Sequence, residues 1–128
     1  MTLEMTYLLW SVILTFVLIM IPAGDALMKN GADTQAGARD NVPEPSVFNK
    51  RASRLSTNML ENMVLFAPLI LIANATDIST ENTVLGAQIF FYARLAHAVV
   101  YLAGWPKIRP VIWFVSVIGM GMIAIALF

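Results

Sequence analysis

Residues 50–75 read KRASRLSTNMLENMVLFAPLILIANA, a basic polar start that runs unbroken into an apolar stretch. Arg54, Asn58 and Glu61 follow Arg51 at offsets of 3, 7 and 10. At about 100° per helical residue, these positions fall within an arc of roughly 80°. One helix stripe therefore carries two guanidiniums, an amide and a carboxylate into a segment apolar enough for a membrane. Ionisable groups at that depth are costly, so they face a bundle interior or a watery cavity and mark function.

The whole chain agrees with a membrane reading. Its 128 residues are 59% hydrophobic and 12% charged, with mean hydropathy +0.74. Soluble domains carry about 25% charged residues, so the composition is that of an integral membrane protein. Residues 1–128 leave no room for a second domain. The absence of cysteine excludes a disulfide framework, a thiolate metal site and a cysteine nucleophile. With His97 as the lone histidine, no metal site is assigned. Zero net charge argues against a nucleic-acid partner.

A spanning helix needs about 20 mostly apolar residues. Four segments qualify: 5–24 with no charge, 55–75 with Glu61, 82–106 with Arg94, and 110–128 with no charge. The expected fold is an all-α, four-helix transmembrane bundle. Its helices should cover about 5–28, 50–76, 82–105 and 109–128, with a loop over about 29–49. The first span reads as a retained helix, since only Glu4 precedes it and a signal peptide would have a basic leader.

Lys29, Arg39, Lys50, Arg51 and Arg54 lie between spans one and two, and Lys107 and Arg109 between spans three and four. The N-terminal segment and residues 76–81 contain no Lys or Arg. The positive-inside rule then puts both basic loops in the cytoplasm and both termini on the other side. Short second and third connections favour an up-down-up-down order. The first loop, with Gly31, Gly37, Asp40, Asn41, Pro43 and Pro45, has turn chemistry and should fold over the cytoplasmic end.

Span three carries a second stripe, with His97 and Tyr101 at offsets of 3 and 7 from Arg94. Glu61 is the one carboxylate within the spans and is the expected partner of Arg94, either as part of a site or simply to fix the bundle's register. Arginine forks bind carboxylates in a bidentate way. Arginines beside an amide, a tyrosine and a carboxylate suit a small polar anion that also bears an amine. Taken alone, His97 would more often be a packed histidine and Tyr101 an interfacial one. Trp105 and Trp113 read as interface anchors and the methionines as packing.

Arg51-Ala52, Asn58, Glu61-Asn62, Phe66 and Pro68, at this spacing, resemble the signature of the MAPEG family, the membrane-associated proteins in eicosanoid and glutathione metabolism. Arg94, His97 and Tyr101-Leu102 resemble its third-helix motif, and Arg109 falls where members place an arginine opening helix four. Gly37-Ala38-Arg39-Asp40 is similar to the first loop of bacterial members. The resemblance implies a homotrimer that binds glutathione between subunits near the cytoplasmic face, in a bacterial inner membrane. By position it implies Arg54, Asn58, Glu61, Tyr101 and Arg109 as glutathione contacts with His97 beside them. Arg51 and Arg94 would be supporting members of the set, and Arg109 the catalytic residue that stabilises the thiolate.

The activity so implied is that of a glutathione transferase, or a peroxidase, acting on lipophilic electrophiles from the bilayer. Thr57 and Pro110, where some members have Arg and Ser, leave open a scaffold of the same fold without turnover. A small four-helix multidrug transporter is a further reading, although its first helix would need an acid and here has none before Asp25.

Overall fold

Local capping chemistry sets where each helix starts and stops. In the computed structural model, which describes residues 1–38, 40 and 42–128, α1 spans Leu3–Asn30 and α2 Ala32–Ala36. The remaining helices are α3 at Val47–Ala75, α4 at Glu81–Ala103 and α5 at Arg109–Ala126. Arg39, counted among the cytoplasmic cations, and Asn41, read as a turn residue, lie outside the described residues.

The Thr2 and Ser46 hydroxyls accept the Met5 and Asn49 backbone N–H groups, so α1 and α3 each open on a side-chain cap. Thr80 and Thr83 form a reciprocal capping box at the start of α4. That helix ends at Gly104, whose φ of +80° suits glycine; the Gly104 N–H returns to the Tyr101 carbonyl and the Trp105 N–H to that of Val100. Pro110 lies in the first turn of α5, where its missing N–H does no harm. The expected first loop contains the short helix α2, and its rim carries an ion pair between Lys50 and Glu44 at 2.6 Å.

Four of the helices, α1, α3, α4 and α5, are long and apolar enough to cross a membrane, and no strand occurs among the described residues. The protein is thus an all-α, four-span bundle. Cross-helix contacts fix the directions. Asn49, early in α3, donates to the Pro22 carbonyl and to Asp25, late in α1. Arg51 of α3 reaches Leu102, late in α4, and Glu4 of α1 meets Thr83, early in α4. Gly86 of α4 abuts Gly119 of α5. Consecutive spans therefore alternate in direction. One end, here the basic end, gathers Lys29, Lys50, Lys107 and Arg109; the other holds both chain termini.

Helices α3 and α4 each pack on all three other spans, whereas the α1 and α5 backbones do not approach each other; α4 and α5 pack most extensively. A Cβ on Gly86 would lie 2.6 Å from the Gly119 carbonyl oxygen, and one on Gly119 would lie 2.7 Å from that of Gly86. Lipid gives helices no hydrophobic reason to associate, so backbone approach at small residues supplies the van der Waals contact instead. Toward α3, the Phe66 and Phe90 rings stack with centroids 3.8 Å apart, both fully buried. Much of the outer surface is apolar, with Phe16, Val64, Leu65, Val99, Val111, Phe114 and Ile125 all exposed. That distribution suits a bilayer.

Candidate functional site

The α3 stripe lies toward the basic end and faces the side of the bundle. Arg54, Asn58 and Glu61 line an open groove of about 320 Å³ together with Ser53, Thr57 and Tyr101. Arg54, Thr57 and Glu61 are exposed; Ser53, Asn58 and Tyr101 are half-buried. Two successive turns of α3 make the floor, and Tyr101 of α4 makes one bank.

Behind the floor, Arg94 is 1% exposed. Its Nη2 donates to Asn58 Oδ1 across 2.6 Å and its Nε to Met59 Sδ at 3.4 Å. Nη1 has no hydrogen-bond partner among the described residues. The expected Arg94–Glu61 pair does not form within the chain. Asn58 and Glu61 are separated by about 60° around the helix. That angle turns the amide toward α4 and leaves the carboxylate on the outer surface.

The pairing also decides what Asn58 offers a ligand. With Oδ1 accepting from Arg94 at 2.6 Å and from the Asn62 amide at 3.4 Å, the side chain presents its Nδ2 donor. A donor amide beside Arg54 matches an anionic group.

Tyr101 links the groove to two further expected residues. The Arg109 guanidinium lies over its ring, 4.6 Å from the centroid, in a cation–π contact that fixes the first turn of α5 against α4. The His97 ring packs at 5.4 Å from that of Tyr101, tilted by 47°. His97 is 3% exposed and does not line the groove, and its Nδ1 has no partner among the described residues.

Arg51 is elsewhere. Its Nη1 donates to the Leu102 carbonyl at 3.1 Å, and its guanidinium sits 3.2 Å from where a Cβ on Gly104 would lie. It closes the C-terminus of α4. Six of the eight expected residues thus form one connected set around the groove: Arg54, Asn58, Glu61, Tyr101, Arg94 and Arg109. His97 is attached to it through Tyr101, and Arg51 is apart.

The sequence profile of the MAPEG family matches residues 5–128, nearly the whole chain. The chain belongs to the MAPEG family. Neither the curated proteins nor the solved structures yield a match. As a MAPEG member with four spanning helices, it is a multi-pass integral membrane protein of the kind that serves glutathione and eicosanoid metabolism. Two groove residues of this MAPEG chain escaped the sequence reading as contacts, Ser53 and Thr57. Their spacing of four, one position before Arg54 and Asn58, puts them on the adjoining stripe of the same helix. Helical arithmetic could have found them.

Proposed function

We propose that this protein is a membrane glutathione transferase, binding glutathione in the lateral groove of α3. The observation that carries the reading is the composition of that groove. It gathers a guanidinium, a donor amide, a carboxylate and a tyrosine on one open face. Glutathione has two carboxylates, an ammonium and a thiol. Arg54 and Asn58 suit a carboxylate, and Glu61 suits the ammonium. A cation near sulfur favours the thiolate, which is the nucleophile, and Arg109 is the cation beside Tyr101. The chain has no cysteine, so the reactive sulfur belongs to the bound thiol.

The groove's openness supports a homotrimer. Its 320 Å³ is at the small end of the roughly 300–1,000 Å³ of ligand pockets, and its outer wall is absent. Arg54 and Glu61 are exposed on the side of a spanning helix, where bare charge is disfavoured. A second copy covering that face would supply the wall and shield the charges, and cyclic symmetry closes such head-to-tail contacts into a ring. The positive-inside bias supports a groove near the cytoplasmic face with both termini outside, and the likeness of Gly37-Ala38-Arg39-Asp40 to bacterial members supports an inner membrane. The second substrate is a lipophilic electrophile arriving from the bilayer. Against a proton-coupled transporter stands Asp25, which is tied to Asn49 at 2.9 Å and Lys29 at 3.1 Å.

Conjugation of glutathione to 1-chloro-2,4-dinitrobenzene tests the activity, with thiolate absorbance followed on binding. Turnover by the wild type that falls at least tenfold in Arg109→Ala, with glutathione affinity kept within a few-fold, supports the transferase. Glutathione binding without turnover across a panel of electrophiles would instead favour a scaffold, the reading to which uncharged Thr57 in the groove lends itself.

A further inference from the structure

At the other end of the bundle Glu4 is 2% exposed, a carboxylate almost wholly enclosed. Its Oε2 accepts the Thr83 hydroxyl at 3.2 Å, while Oε1 has no hydrogen-bond partner among the described residues. The Thr83 hydroxyl is shared with the Thr80 backbone in the capping box, so it is a weak counter-group. An ionised carboxylate buried with an unmet oxygen is costly, and a cation set against that oxygen would offset the cost.

Glu4 forms part of the wall of a cavity of about 130 Å³. Thr2, Asn74, Asp77 and Ser79 supply the other polar walls, and the lining includes no Lys, Arg or His. The chain before Lys29 and the α3–α4 connection contain no basic side chain. Asp77 and its neighbours are held by the Asp77 N–H on the Asn74 carbonyl and the Ile78 N–H on that of Ala73. Two carboxylates, an amide and two hydroxyls without a basic side chain are hard oxygen ligands, suited to calcium and unlike the nitrogen and sulfur set of zinc. Among the described residues no three His, Cys, Asp or Glu side chains are grouped so as to hold a metal ion, so amide, hydroxyl and water oxygens would have to complete the shell around Glu4 and Asp77. At about 30 Å³ per water, the cavity has room for an ion and about three waters.

We propose that this cavity binds a hard divalent cation, calcium by its ligand set, through Glu4 and Asp77. The ion ties the first turn of α1 to the α3–α4 connection. On the orientation proposed above this is the non-cytoplasmic side, but the site stands independently of the glutathione reading.

The full chain in detergent, stripped with EGTA, is titrated with CaCl2 by calorimetry, and its unfolding temperature is followed. The expected result is one saturable site per chain and a rise of about 4 °C at tenfold excess over Kd. Glu4→Gln abolishes both, Asp77→Asn weakens binding at least tenfold, and Glu81→Gln, an exposed carboxylate nearby, changes neither. In EGTA, Glu4→Gln unfolds no lower than the wild type, because the amide oxygen can still accept from the Thr83 hydroxyl. Absence of saturable binding, an equal response to NaCl at matched ionic strength, or undiminished binding by Glu4→Gln overturns the proposal. Should Glu4→Gln fail to fold, undiminished binding by Asp77→Asn overturns it.

Discussion

Arg94 and Asn58 meet across 2.6 Å between α4 and α3, and this one bond joins the buried charge of the bundle to its lateral groove. It fixes the amide's orientation, so that Asn58 presents a donor to whatever occupies the groove. It also leaves Arg94 without a carboxylate within the chain, since the ion pairs among the described residues are Lys29–Asp25 and Lys50–Glu44. The positive charge behind the floor therefore adds to that of Arg54 and Arg109 and favours an anion in front of it.

Removing the amide should expose that dependence. Asn58→Ala leaves a buried guanidinium short of its best acceptor and is expected to destabilise the fold by about 2–3 kcal/mol. Arg94→Leu in the same chain should recover part of the loss, because an apolar side chain in that position needs no partner. A double-mutant cycle read by thermal unfolding in detergent checks this; strictly additive losses would show that the two residues are not coupled.

The α4–α5 crossing is set by two glycines whose backbones touch. Gly86→Val or Gly119→Val forces side-chain atoms into a carbonyl less than 3 Å away, and should destabilise by about 1–3 kcal/mol or more. A methyl added at Gly121 would meet nothing within 4 Å, so Gly121→Ala should be neutral or stabilise by roughly 0.5–1 kcal/mol. Unfolding midpoints of the three variants discriminate directly. Equal effects at Gly119 and Gly121 would contradict the packing described.

Arg51 and Arg54 are near neighbours in sequence with different tasks. Arg51→Ala removes the bond to the Leu102 carbonyl and should lower stability by about 1–2 kcal/mol while leaving glutathione affinity within a few-fold. Arg54→Ala, with its side chain exposed in the groove, should do the reverse. Parallel measurement of unfolding temperature and ligand Kd separates the two.

The four spans were legible because each is a long apolar run broken by few charges, and the family resemblance rested on two spaced motifs in order. Helical arithmetic within α3 grouped Arg51, Arg54, Asn58 and Glu61 on one stripe; three of them line the groove, whereas Arg51 turns to the end of α4. It could not supply the rotation of α3 relative to α4. Charge balance alone pointed Arg94 at Glu61, yet a difference of about 60° within the stripe decides which residue faces inward, and that residue is Asn58. The C-terminal closure by Arg51 was equally hidden, since it depends on where α4 ends in space. So was α2, whose five residues are too few to show a period.

The central claim is that the α3 groove holds glutathione, and isothermal titration of the detergent-solubilised protein with glutathione tests it most directly. The account predicts saturable binding by the wild type, weakened at least tenfold by Arg54→Ala and by Glu61→Ala, and little changed by Arg51→Ala. No binding by the wild type, or equal binding by the wild type and both groove variants, would contradict it.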